Sequence, residues 1–457
     1  MMTRITRRGF LELGAAASFA AASGCTGTGV KLVRAPRFCK PGDKLNMAFI
    51  GVGGRGGANF SEFFNELDEN PVAICDIDTR PLEHTANHIK AKRGARPRTY
   101  HDYRELLANE KDLDAVVIST PDHMHAPCAF AAMQQGCHVY VEKPLVRTVW
   151  ECRRFAEVAK ACGVITQMGN NGNGTDQQRR NIEVLKSRVL GDVTEIHVTT
   201  DRPIWPQGLN RPEGSDPIPE QVKWDLFIGT APMRPFKNGV YHTFKWRGWF
   251  DFGTGAMGDI ACHSMSFFFR GLELREVLSV ETVKTTEKFN ETYPAATTVK
   301  VVAVSALQKK PITIYWYDGK TTPEAGVLPA KITKSFGQSV GGVIIIGDEG
   351  MYVNGAISMK NEERFRGIAQ HAATKDLPVT LPRVKSHHWE FTEAIRGGGR
   401  PFSDYDHSVP LTELVLLGCI SQRISGELKW DAQKGIFTNS DAANALLKPF
   451  IRDGWTI

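Results

Sequence analysis

Short apolar runs alternate with helix-length stretches between residues 44 and 168. The runs at 44–51, 71–75, 113–120, 137–141 and 164–168 predict strands; the stretches at 59–67, 81–92, 126–135 and 149–162 predict helices. Brief apolar runs separated by helices are what a parallel sheet covered on both faces requires, each crossover forming a right-handed βαβ unit. From about residue 190 the texture changes. β-rich runs at 193–200, 277–286, 297–305, 312–317 and 342–346 predict a second sheet with one covered face. Loops rich in Pro, Gly and Trp lie between them at 202–219 and 230–255, and 411–424 predicts a late helix. The fold class that follows is an α/β N-terminal domain plus an α+β C-terminal domain with a large, mostly antiparallel open sheet.

The N-terminus stands apart from this pattern. Thr6-Arg7-Arg8-Gly9-Phe10-Leu11 is a twin-arginine run ahead of a weakly apolar stretch at 13–22. A basic segment followed by a short apolar one reads as an export signal of the Tat type. Ala22-Ser23-Gly24-Cys25 resembles a relaxed lipobox, with Cys25 as a lipidated first residue; cleavage at 20–22 without a lipid is the alternative. The expected division is signal and linker over 1–40, a nucleotide domain over 41–168 and a substrate and oligomerisation domain over 169–410. A C-terminal helix and tail over 411–457 returns to the junction.

Composition narrows the classes. Of 457 residues, 42% are hydrophobic and 23% charged, as in globular proteins. The formal charge of +6 resides in residues 1–40, which hold seven basic residues against one acidic one. The remainder is balanced, so nucleic-acid binding is not expected. The nine cysteines include no Cys-x-x-Cys pair, which argues against a zinc ribbon or a disulfide scaffold. A membrane contact is expected only through a lipid on Cys25.

Gly51-Val52-Gly53-Gly54-Arg55-Gly56 follows the first strand and opens a helix. In that context G-x-G-x-x-G is a dinucleotide fingerprint of the Rossmann type: Gly51 for the turn, Gly53 for approach of the pyrophosphate, Gly56 for helix–strand packing. Asp76 ends the second strand, where its carboxylate would accept from the adenosine ribose hydroxyls and repel a 2′-phosphate. NAD is therefore expected ahead of NADP; a turn or cap role for Asp76 is the structural alternative.

Ser119-Thr120-Pro121-Asp122-His123-Met124-His125 follows the third strand, and Glu142-Lys143-Pro144 ends the fourth. With the glycine loop, these motifs closely resemble the Gfo/Idh/MocA oxidoreductases, the family of glucose–fructose oxidoreductase and inositol dehydrogenase. The resemblance runs from about Lys44 to the C-terminus. It implies that Lys143 lies beside the nicotinamide and the reacting hydroxyl, and that Asp259 and His263, four apart on one helical face, complete the catalytic group. His263 would take the hydroxyl proton, Asp259 orient it, and Lys143 polarise the alkoxide. Gly51, Gly53, Gly54, Arg55, Gly56, Asp76, Thr120, Pro121, His123, His125, Glu142, Lys143 and Asn170 are the expected cofactor contacts. Trp205, Arg247 and Trp249 are expected at the substrate, where tryptophans either stack on a pyranose or pack between domains. His123 and His125 lack a third ligand at suitable spacing, and no metal is expected.

The expected function is an exported, NAD-dependent oxidoreductase acting on a hydroxyl of a sugar, sugar derivative or glycoside with a tightly bound cofactor. It would be periplasmic or lipid-anchored, and a homo-oligomer. Two alternatives stand beside it. One is a redox-neutral NAD-dependent glycosidase like those of family 109, which oxidises, eliminates, hydrates and reduces. The other is a non-catalytic sugar-binding lipoprotein.

Overall fold

The computed structural model describes residues 30–457; the twin-arginine run and Cys25 lie outside the described residues. Among the described residues there are two sheets. The first has six parallel strands: β1 (Asn46–Ile50), β2 (Asn70–Cys75), β3 (Arg98–Tyr100), β4 (Ala115–Ile118), β5 (His138–Val141) and β6 (Thr166–Met168), in spatial order β3-β2-β1-β4-β5-β6. The order reverses between β1 and β4, so a crevice opens at the carboxyl ends of these strands, where open α/β sheets take ligands.

Every residue of β4 and β5 is buried, because helices cover both faces. On one face pack Phe60, Phe63 and Phe64, joined by Phe391 and Ile395 from the late helix His387–Ile395. On the other, helix Val149–Cys162 begins in a capping box formed by Thr148 and Glu151. It also pairs with the C-terminal region through Arg153 and Glu413, 2.8 Å apart. The N-terminal arm stitches the opposite end of this sheet: Arg37 pairs with Asp112 at 2.6 Å, and Cys39 N–H donates to the Ile395 carbonyl at 3.2 Å.

The second sheet has ten strands: β7 (Val193–Thr199), β8 (Leu274–Thr285), β9 (Thr297–Ser305), β10 (Lys310–Tyr317), β11 (Gly342–Gly347), β12 (Gly350–Val353), β13 (Ala356–Met359), β14 (Arg366–Gly367), β15 (Leu428–Asp431) and β16 (Ile436–Phe437). Their order is β14-β13-β12-β11-β7-β10-β9-β8-β15-β16, and only β7 and β10 pair in parallel. Alternation sets its two faces. Val299, Val301 and Ala303 of β9 are buried, whereas Lys300, Val302 and Val304 are half-exposed. Helix Tyr405–Ser421 lies between this sheet and helix Gly255–Ser264. It starts ahead of its apolar run, and Pro410 sits inside it. Gly418 lets Met257 approach so closely that a Cβ there would lie 2.2 Å from its methyl group. That contact fixes the helix carrying Asp259 and His263.

Candidate functional site

A cavity of about 770 Å³ occupies the crevice, walled by both domains. Gly51, Gly53, Gly54, Arg55, Asp76, Thr120, Pro121, His125, Glu142 and Lys143 line it from the first domain; Trp205, Arg247, Asp259 and His263 line it from the second.

Its floor is built by close backbone approach. Gly51 has φ +83°, and a Cβ there would lie 2.7 Å from the Ser119 carbonyl oxygen. A Cβ on Gly56 would lie 2.0 Å from the Gly51 carbonyl oxygen, so helix Arg55–Ser61 can start against β1 only with glycine there. Asp76 Oδ2 accepts from Val52 N–H at 2.9 Å and Gly53 N–H at 3.3 Å. Part of its work is thus to hold the glycine loop. Burial raises its carboxyl pKa, and the bonds from Asp78 and Val52 N–H oppose that rise. Arg80 is turned away from Asp76: its Nε and one terminal nitrogen donate to Asp78 at 2.9 and 2.5 Å.

β2 and β5 are separated by β1 and β4, three strand spacings or about 14 Å. Asp76 and Glu142-Lys143 therefore stand at opposite ends of a trough long enough for a dinucleotide. Thr120 Oγ1 lines that trough, buried and unpartnered in the protein, a donor and acceptor awaiting a ligand. The glycine cradle, the length and this hydroxyl fit NAD.

At the Lys143 end the two domains meet through charge. Lys143 Nζ donates to Asp259 Oδ1 at 2.7 Å and to the Asp259 carbonyl at 3.0 Å, and Arg247 Nε donates to the same Oδ1 at 3.1 Å. Both Lys143 and Asp259 side chains are 13% exposed. Burial pushes the Asp259 carboxyl up, but Lys143 and Arg247 together hold it below its ordinary range. Glu142 sits beneath: Oε1 accepts from Arg55 Nε and Asn59 Nδ2, each at 2.9 Å, and Oε2 from Lys143 N–H at 3.3 Å. Burial again opposes ionisation, and Arg55, Lys143 and Asn59 outweigh it. His263 lines the cavity one helical turn beyond Asp259. Burial first, then the Lys143 charge, brings its imidazole down to about 4, so it is neutral at physiological pH.

Four residues expected at the ligands lie elsewhere: Gly56 is buried against the Gly51 carbonyl, where it packs helix on strand and does not line the cavity. His123 faces away from the cavity: its Nε2 lies 3.0 Å from the Phe227 carbonyl and 3.1 Å from that of Ile228, with the Phe252 ring edge-on. The turn Asp122–Met124 sends adjacent side chains to opposite sides, and burial takes His123 down to about 3. Asn170 is buried, donating to Ser266 Oγ at 3.2 Å, while Asn171 lines the cavity. Trp249 is 1% exposed within an aromatic cluster with Tyr241 and Phe252, so it packs the loop and does not face a substrate. His125 lines the cavity with its ring tied on both sides, Nδ1 to the Pro144 carbonyl at 2.8 Å and Nε2 to that of Thr120 at 3.0 Å.

Other contributors carry no local signal. Asn59 bridges Glu142, Ser119 and, through its carbonyl oxygen, His388 Nε2 at 3.1 Å. Asp122 is buried and accepts from Thr254 Oγ1 at 2.7 Å. Ile204 and Phe244, both exposed, frame the mouth, where Arg247 lies over the rings of Phe244 and Trp246.

Comparison with known proteins agrees with this construction. Residues 45–170 match the oxidoreductase family with an NAD-binding Rossmann fold, and residues 203–286 match that family's C-terminal alpha/beta domain. A glycosyl hydrolase family 109 protein of a Shewanella species is 33% identical over 153 residues, 33% of each chain. An alpha-N-acetylgalactosaminidase of Shewanella oneidensis is 31% identical over 187 residues, 40% of each chain. These alignments span about a third of the curated relatives' length. The fold recurs in the WlbA dehydrogenase from Bordetella pertussis, solved with NADH and UDP-GlcNAcA (TM-score 0.56, 16% identity, 85% of this chain and 99% of that one). It recurs also in an aldose–aldose oxidoreductase from Caulobacter crescentus, solved with glycerol (TM-score 0.56, 16% identity, 85% and 100%). The glycine loop, Glu142-Lys143-Pro144 and the Asp259–His263 helix gather on one cavity, and over residues 45–170 and 203–286 the chain matches the NAD-binding and C-terminal domains of the Gfo/Idh/MocA oxidoreductases.

Proposed function

We propose that the protein oxidises a secondary hydroxyl of a sugar or glycoside, using NAD seated between the glycine loop and Lys143. The observation that carries this reading is the convergence of Lys143 from one domain with Asp259 and His263 from the other on a single cavity. Bound NAD supplies the chemistry of accepting a hydride from a carbinol carbon and returning it. His263, neutral because it is buried beside Lys143, accepts the hydroxyl proton. Lys143 spends two of its three N–H bonds on Asp259, leaving the third for the substrate oxygen, where it stabilises developing alkoxide charge. Asp259 stays ionised, so it anchors Lys143 and does not compete for the proton. Arg247, Trp205 and Phe244 offer a mixed cationic and aromatic rim to a polyhydroxylated ring.

Asp76 favours NAD over NADP by repelling a 2′-phosphate, and Arg80, at the same end of the cavity, gives its Nε and one terminal nitrogen to Asp78. The twin-arginine run supports export from the cytoplasm, with a lipid anchor if Cys25 is lipidated. The half-exposed outer face of the ten-stranded sheet suits self-association.

A second reading, redox-neutral glycoside cleavage, is favoured by the names of the curated relatives, glycosyl hydrolase family 109 and alpha-N-acetylgalactosaminidase. One experiment separates the two. NAD-loaded protein is offered a panel of methyl and p-nitrophenyl hexosides and N-acetylhexosaminides. Oxidation gives a keto-sugar with cofactor reduction; the second reading gives p-nitrophenol with none. A panel that yields neither from NAD-loaded protein removes both.

A further inference from the structure

The Asp76 end of the cavity is closed by the second domain, and by stitching. Val222 and Asp78 form an antiparallel β-bridge. Thr79 N–H donates to the Gln221 carbonyl at 2.9 Å and Lys223 N–H to the Ile77 carbonyl at 2.8 Å. Further along the same segment, His242 Nε2 lies 2.8 Å from Asp78 Oδ2. Asp78 is buried, and although burial works against its charge, Arg80 and His242 bring its carboxyl down to about 2. The C-terminal tail braces the segment from outside. Arg452 pairs with Asp225 at 2.6 Å and donates to the Gly229 carbonyl at 3.0 Å, and the Trp455 ring packs under Arg104 at 4.1 Å. Leu226, Phe227, His242 and Trp455 line the same cavity as Asp76 and Pro81.

We propose that segment 219–247 is a strap that retains NAD, with the Asp78–His242 pair as its latch. The inference rests on the proposed placement of NAD between the glycine loop and Lys143. A ligand seated against Asp76 leaves at this end only if the bridge and the Asp78–His242 contact open together. Opening removes two main-chain hydrogen bonds and exposes a buried carboxylate, so release is slow against turnover.

Retention constrains the reaction. Oxidising a carbinol removes two electrons and two hydrogens: the hydride goes to NAD and the proton to His263. If NAD does not leave, both must pass to a carbonyl compound that enters the same cavity, either a second sugar carbonyl or a ketone formed from the first substrate.

The test is isotope exchange on the full-length holoprotein. NAD-loaded protein is mixed with excess isotopically labelled NAD, and the bound isotope ratio is followed by mass spectrometry. His242→Ala removes the latch; Lys223→Pro deletes the N–H given to Ile77 without touching a cavity side chain; His242→Gln retains a neutral donor to Asp78. Wild-type exchange is expected to be slow, His242→Ala and Lys223→Pro each at least about tenfold faster, and His242→Gln in between, all measured at a temperature well below the melting point of each variant. Exchange of wild-type NAD within the mixing time overturns the strap alone, as does wild-type-rate exchange in both disruptive variants. A protein that takes up no NAD overturns the placement of the cofactor, and the strap with it.

Discussion

The protonation of His263 makes the sharpest test of the catalytic arrangement. An ordinary imidazole titrates near 6.5; here burial and the neighbouring Lys143 bring it to about 4. In the proposed role, only the neutral ring can take a proton from the substrate. With a pKa of about 4, about 90% of His263 is neutral at about pH 5; with 6.5, about 3% is. The rate of substrate oxidation under single-turnover conditions should therefore hold nearly constant from about pH 7.5 down to about pH 5 and fall only toward pH 4. His263→Ala should lose about 10²–10⁴ in that rate and the acid limb with it. In Lys143→Met the smaller cause of the shift is gone while burial remains, so the ring should titrate between about 4 and 6.5, as read by NMR of its ring protons. A wild-type acid limb centred near 6.5, or a His263 titration indifferent to Lys143, excludes His263 as a buried base set by Lys143.

Three further outcomes follow from the same geometry. Gly56→Ala forces a methyl into the Gly51 carbonyl; a loss of about 1–3 kcal/mol in denaturant unfolding and a collapse of NAD binding by calorimetry are expected, and wild-type binding contradicts the packing. Asn59→Leu strips one donor from Glu142 and the acceptor facing His388, costing about 1–3 kcal/mol, measured by denaturant titration; an unchanged midpoint contradicts the network. His123, His138, His387 and His388 are buried with pKa values depressed to between about 3 and 4, chiefly by burial. Below the unfolded value of about 6.5 the unfolded chain binds protons that the native one refuses, so stability falls with pH, by about 2 kcal/mol for each such ring at about pH 5. The melting temperature should drop steadily from pH 7 to pH 5, and a flat profile contradicts this.

What could be read from the chain alone was whatever local pattern determines. The apolar runs of β1, β2, β4, β5 and β6, the glycine loop, and the i, i+4 pair Asp259–His263 each declare themselves within a dozen residues. β3 does not: its three residues are mostly exposed and carry no alternation. The small strands β12 to β16 sit toward the sheet edges, where short length removes periodicity. Neighbours in a turn were hard to separate. His123 and His125 look equivalent in sequence, yet only His125 lines the cavity, and Asn171 takes the place expected for Asn170. Trp249 shows the same limit, because sequence does not say whether an aromatic loop packs on itself. The least legible contributors came from far away: His388 behind Asn59, and His242 across the chain from Asp78. Such contacts are set by tertiary packing, with no motif to mark them.

In the proposed function, a carbinol carbon of a sugar gives its hydrogen directly to NAD held beside Lys143. The direct measurement is label transfer. NAD-loaded protein is mixed with a hexoside deuterated at its ring carbinol carbons, quenched within the first turnover, and the recovered cofactor is weighed by mass spectrometry. Deuterium in the nicotinamide ring, absent in Lys143→Ala, is the predicted result. A cofactor of natural mass beside a sugar that has lost its deuterium to water would exclude direct hydride transfer to NAD.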